Sequence, residues 1–237
     1  MSKVPFPLLA ACLLAGVVPA APTHGQNPAK DNDKRAVWIS RDLPVGEAQD
    51  TRSDPERLFI PQGRMPAERV NQIAVNPSKL VDAKDPTKGT CVEYAFKFTR
   101  ADDWQGVYSL VGGDSWGARP GINVKELLMP MGKEAVVLRF RARGEKGGEV
   151  ATFQVGAVTT GPHKSSLLFP RTAPQDPTRL PNRWADFEIP LVASELTNVI
   201  DPFCVVARAG DNPGRALVQV YVDDVRFEVV PPQPRKK

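Results

Sequence analysis

Histidine is almost missing from this chain. His24 and His163 are the two among 237 residues, too few for a histidine-based zinc shell. Serine–histidine catalysis has little to draw on either. His163 stands in "TGPHKSS", a loop-like stretch with no nucleophile elbow, and His24 falls within the first 25 residues. No phosphate loop or dinucleotide fingerprint is present. Cysteine is scarce, at three residues, so a disulfide-stapled scaffold is excluded. A charge of one sign is lacking too. With 31 basic and 27 acidic residues well mixed along the chain, there is no concentrated basic face for nucleic acid.

Long apolar runs are confined to the start. Residues 4–20 carry no charge and follow Lys3, and Val18, Ala20 and Ala21 suit a signal peptidase. The run is too short and too broken by proline for a membrane span, so residues 1–25 read as a cleaved secretory signal. "LAAC" at 9–12 resembles a lipoprotein box. The apolar run before it is short for that role, which favours a secreted or periplasmic product without an anchor at Cys12. Lys3 is the one charge in residues 1–25, so the remainder holds 30 basic and 27 acidic groups, a balance of +3.

What is abundant is proline, at 24 residues, which disfavours long helices. Residues 26–57 are polar and irregular apart from the β-like "AVWIS" at 36–40, where Trp38 is placed to pin the extension to the domain. From about residue 58 to 230 short alternating runs recur: "VNQIAV" at 70–75, "CVEYAFKF" at 91–98, "GVYSLV" at 106–111 and "EAVVLRFRARG" at 134–144. "EVATFQVGAV" at 149–158, "WADFEIPL" at 184–191, "FCVVARA" at 203–209 and "ALVQVYVDDVRFEVV" at 216–230 complete the set. Only 124–128 and 193–200 suit a helical turn. This pattern, without a βαβ rhythm, predicts an all-β, antiparallel two-sheet sandwich or barrel. The basic end, 231–237, reads as a disordered tail. In 134–144, Val136, Leu138, Phe140 and Ala142 share one face, and Arg139, Arg141 and Arg143 form a stripe on the other, read as a solvated face.

The ordered landmarks "FIPQGRMP", "GTCVEYAF", "DDWQGVYSL", "SWGARPGINV", "FRARGEKGGEV", "NRWADFEIPL" and "YVDDVRFE" resemble the carbohydrate-binding-module-like jelly rolls of the galactose-binding-like superfamily. The resemblance covers about residues 58–229. It implies a secreted, non-catalytic two-sheet jelly roll that recognises a polysaccharide or cell-surface glycan, and in many relatives a structural calcium. Tryptophan is common in similar modules where this chain has Arg64 and Ser109. That departure keeps a structural or protein-interaction role as the alternative, with a jelly-roll hydrolase or lyase behind it.

Sugar binding calls for aromatic faces with polar groups beside them. The candidates gather in 102–123: Trp104, Tyr108, Asp114, Trp116 and Arg119, with Asp103 nearby. Trp184, at the head of a strong strand, reads as core. Asp223 and Asp224 interrupt a strand in which Val218, Val220 and Val222 share one parity and Val225 and Phe227 the other. Such a phase slip marks a β-bulge. The two carboxylates are candidates either for Ca²⁺ or for capping backbone amides. Cys91 and Cys204 are either a disulfide, worth up to about 4.7 kcal/mol, or two separate buried thiols.

Overall fold

The computed structural model describes residues 36–40, 59–78, 91–111, 116–128, 134–156 and 158–230. The two ends assigned to signal and tail lie outside these, as do Asp114 and the Trp38 side chain. The strand Ala135–Gly144 shows how sequence becomes architecture. On it Val136, Leu138, Phe140 and Ala142 are at most 1% exposed, while Arg139, Arg141 and Arg143 point the other way.

The strands in chain order are β1 (Ala36–Ser40), β2 (Phe59–Met65), β3 (Ile73–Ser78), β4 (Cys91–Lys97), β5 (Trp104–Val111) and β6 (Ala135–Gly144). They continue with β7 (Val150–Val155), β8 (Arg171–Thr172), β9 (Thr178–Arg179), β10 (Ala185–Leu191), β11 (Phe203–Arg208) and β12 (Leu217–Val230). One sheet has the order β10-β6-β12-β4-β3, with β1 also beside β12; the other runs β2-β5-β11-β7-β8, with β9 beside β7. The pairings are antiparallel. From β4 to β7, and again from β10 to β12, successive strands alternate between the sheets, the winding of a jelly roll. The predicted all-β sandwich is therefore the observed one.

Inward residues of both sheets make one core. At its centre the Phe140 ring lies 4.7 Å from Phe153, 5.2 Å from Phe203 and 5.5 Å from Phe187. The short helix α1 (Val124–Leu128) buries Val124 and Leu128 against it.

The β-like run 36–40 is strand β1, which pairs with β12 from Ala36↔Glu228 to Ser40↔Val225. Two details differ from the sequence reading. Residues 67–72, partly assigned to a strand, form a 3₁₀ helix that leads into β3. Cys91 and Cys204 are buried thiols and not a disulfide. The reason is topological. Cys91 alternates against the inward Val92, Tyr94 and Phe96 of β4, while Cys204 lies opposite Tyr108 and alternates against the inward Phe203 and Val205 of β11. The two sulfurs thus belong to opposite outer sides of the sandwich.

Candidate functional site

The bulge read from the sequence is present, and it lies at a polar cleft. Asp223 pairs with Arg141 and Arg226 with Arg139, so Asp224 and Val225 together face the single residue Phe140. Asp224 takes the left-handed conformation, φ 54°, which aspartate tolerates better than most residues. The extra residue resets the phase: Val218, Val220, Val222, Val225 and Phe227 all enter the core. Here β12 also exchanges neighbours. It pairs with β4 as far as Val222 and with β1 from Val225 onward.

On the outer face of the first sheet, cross-strand register sets Asp186 opposite Arg141 and Glu188 opposite Arg139. Arg141 Nε lies 3.8 Å from Asp186 Oδ1 and its Nη1 4.0 Å from Asp224 Oδ2. Arg139 Nη1 donates to Glu228 Oε1 at 2.9 Å, and its Nε stands 3.6 Å from Glu188 Oε2. Arg226 Nε donates to Glu228 Oε2 at 3.2 Å and its Nη1 to the Asp224 carbonyl at 3.3 Å. This charge ladder lines a cleft of about 660 Å³. Three guanidinium groups (Arg139, Arg141, Arg226) face three carboxylates (Asp186, Glu188, Asp224), so the lining charges balance.

Trp184 belongs to this face. Counting back from the inward Ile189 and Phe187, Glu188, Asp186 and Trp184 share the outward parity. Its indole is half-buried, with the Arg141 guanidinium 5.5 Å from the ring centroid. Its Nε1–H is buried and meets no acceptor among the described residues. The expectation that Trp184 is a core residue is thus corrected: it stands at the end of the ladder. Further along the face, Arg143 lies 5.9 Å from the Tyr221 ring, and Tyr221 donates to Glu145 at 2.7 Å.

No family model matches this chain, and no curated protein matches it. Solved structures do resemble it. A family 30 carbohydrate-binding module is 12% identical, with 85% of this chain and 93% of that one aligned at a TM-score of 0.48. The family 30 module of a cellulosomal cellulase of Clostridium thermocellum is 14% identical over 81% of this chain and 96% of that one, TM-score 0.46. SGBP-B, from a complex xyloglucan utilization locus in Bacteroides uniformis, is 14% identical over 73% of this chain and 47% of that one, TM-score 0.39. These values name no ligand, and the chemistry of the cleft rests on this chain's own residues.

Of the residues picked out at 102–123, Trp104 and Tyr108 lie on β5 of the second sheet, Trp116 and Arg119 lie between β5 and α1, and none of these four lines the cleft. Trp104, 39% exposed, begins β5 and pairs with Arg208. Tyr108 and Trp116 lean together, ring centroids 5.3 Å apart, on the buried cluster of Leu110, Val158 and Ile200. Trp116 has φ 41°. The following Gly117 (φ 82°) lies so close to the carbonyls of Thr160 and His163 that a Cβ would collide with them. The chain just after Trp116 is therefore packed against loop 158–166, while Tyr108 and Trp116 themselves stay partly exposed. Arg119 is exposed. Asp103 is a turn anchor, accepting from Thr99 N at 2.9 Å, Arg100 N at 2.8 Å and Arg69 Nη2 at 2.8 Å. Those amide bonds, led by Thr99, hold its carboxyl below the usual range.

Asp223 and Asp224 do not fit calcium. Asp223 Oδ1 accepts the Asp224 amide at 2.8 Å, and Asp224 stands among guanidinium groups where calcium would need oxygen ligands. No group of three or more His, Cys, Asp or Glu suited to a metal occurs among the described residues. Of the two readings of the acid pair, the structure supports the capping of a backbone amide. No helix among the described residues is long and apolar enough to cross a membrane.

The cleft thus offers donors and acceptors engaged in mutual ion pairs, and the Trp184 indole stands next to it against Arg141, outside its lining. Sugar hydroxyls both donate and accept hydrogen bonds, and an indole supplies an apolar surface for pyranose C–H groups. The alternation of "WADFEIPL" held the signal for Trp184.

Proposed function

We propose that this protein is a secreted, non-catalytic glycan-binding β-sandwich whose sugar site is the cleft over β10, β6 and β12. One observation carries the reading: Trp184, Arg141, Asp186 and Asp224 converge on one open sheet face as a preset hydrogen-bonding array beside an indole. Arg141 is the pivot, and Trp184 supplies the apolar contact. The balanced charge favours a neutral polysaccharide over a polyanion, because neither sign dominates the lining. Engagement of the cleft carboxylates by guanidinium groups supports binding over hydrolysis, which needs a carboxyl pair directed at one glycosidic bond. The uncharged run 4–20 after Lys3 supports export.

The test is affinity electrophoresis against a panel of soluble neutral and acidic polysaccharides, followed by titration calorimetry with the best one. Trp184→Ala and Arg141→Ala are expected to weaken binding at least tenfold with the fold retained, and Trp104→Ala to leave it unchanged. Retention of no polysaccharide, or binding untouched by both cleft variants, overturns the reading.

A further inference from the structure

The outer face of the first sheet carries a second polar row, beside the cleft and outside its lining. Its members follow from register. Tyr221 on β12 pairs with Arg143 on β6 and with Glu93 on β4, and Glu93 pairs with Asn76 on β3. Arg143 shares the outward parity of Arg141. Trp184 directly precedes Ala185, whose partner is Ala142, and so reaches the Arg143 end of β6. From Trp184 to Asn76 the row crosses the gaps from β10 through β6, β12 and β4 to β3, about 19 Å at the usual strand spacing.

The groups of the row hold one another in place. The Tyr221 phenol donates to Glu145 Oε2 at 2.7 Å, and the Arg143 guanidinium lies 5.9 Å from the Tyr221 ring. Arg143 donates from Nε to the Gly144 carbonyl at 3.2 Å and from Nη2 to the Glu145 carbonyl at 3.3 Å. Glu93 Oε1 accepts from Gln219 Nε2 at 2.7 Å, and its Oε2 from Asn76 Nδ2 at 3.5 Å. Tyr221 is buried, whereas Arg143 and Glu93 are half-buried and Asn76 is exposed. The neighbouring row is low. Ala74 pairs with Ala95 and Ala95 with Gln219, and both alanines are partly exposed. A sugar ring laid there meets methyl groups below it and a carboxylate and amides at its edge.

We infer that this row is a second subsite of the glycan site, built by Arg143, Glu93 and Asn76 over Tyr221, and that one sugar chain bridges it and the cleft across the strands. The inference rests on the glycan reading of the cleft. Two features carry it. The row joins the cleft through Arg141 and Arg143, successive outward residues of β6 with Trp184 beside them. Donors and acceptors also alternate along it, as guanidinium, carboxylate and amide, which suits hydroxyl groups that do both. Affinity then depends on chain length. A fragment that fills only the cleft gains nothing from the row, and a longer one engages both through linked contacts.

The test is titration calorimetry on the full chain with neutral cello-, manno- and malto-oligosaccharides, from disaccharide to hexasaccharide. In a series that binds, the hexasaccharide is expected to bind roughly tenfold more tightly than the trisaccharide. Glu93→Ala removes a charged hydrogen-bonding group, so it is expected to weaken the hexasaccharide roughly tenfold and leave the trisaccharide unchanged. Trp184→Ala is expected to weaken every length. Asn76→Ala, at an exposed position, is expected to repeat the Glu93→Ala pattern at roughly fivefold, and it decides the matter if Glu93→Ala does not fold. Equal wild-type affinity for trisaccharide and hexasaccharide overturns the second subsite and leaves the cleft standing. So does a length dependence that neither variant alters. Binding of no series, or binding untouched by Trp184→Ala, overturns the glycan reading and this inference with it.

Discussion

Arg215→Ala tests how the loop from β6 to β7 is built. That loop, "GEKGGE" at 144–149, closes around Glu149, which is 1% exposed. Glu149 Oε1 accepts from Arg215 Nη1 at 2.9 Å and from Lys146 N at 3.0 Å, and Oε2 has no partner among the described residues. Arg215 also donates to the Gly147 carbonyl at 2.8 Å. Cutting Arg215 back to alanine leaves a buried carboxylate with a single amide donor. Breaking a buried pair costs about 3–5 kcal/mol, and Arg215, 30% exposed, belongs at the lower end, about 3 kcal/mol. For a domain of this size that is a fall in Tm of about 6–12 °C. Urea and thermal denaturation measure it. Adding Glu149→Gln to Arg215→Ala should recover part of the loss, because the buried charge is then gone. A single variant within about 0.5 kcal/mol of wild type, or a double variant worse than both singles, refutes the account.

Two more outcomes follow from the cleft. Saturating calcium or excess chelator should leave the melting temperature unchanged, since guanidinium groups already surround Asp224; a calcium-dependent rise in scanning calorimetry would restore the metal reading. Deleting Asp224 should keep stability within about 1 kcal/mol, because a left-handed residue is removed and the strand alternation preserved, yet weaken glycan binding; unfolding of the variant counts against this.

Much of the sandwich was written in local alternation. The inward and outward sets of β6, the helical turn at 124–128 and the phase slip at Asp223–Asp224 depend on neighbours in sequence, and each was legible. The face that carries the cleft was not. Tyr108 and Trp116 looked like an open platform because two of the residues they pack on, Val158 and Ile200, come from distant parts of the chain, and nothing local announces them. The arginine stripe looked merely solvated because its carboxylate partners come from β10 and from the far end of β12. Trp184 was mistaken for core although its parity with Asp186 and Glu188 was visible, since a strong strand is easily credited with burying its first aromatic residue.

The bulge links these observations. Without Asp224, β12 would alternate evenly, with Val222 and Val225 inward and Asp223 and Arg226 outward, and the flanking pairs Asp223↔Arg141 and Arg226↔Arg139 could stand as they are. The extra residue is therefore not needed to fill the core or to set the register on β6. It adds a second carboxylate near Arg141, besides the Asp223 that a regular strand would already set opposite it. A left-handed aspartate costs up to about 1–2 kcal/mol of backbone strain, and local strain of this kind concentrates where a surface binds something. That strained residue and the indole both meet the same arginine, Arg141, which is why the proposed glycan site is centred there.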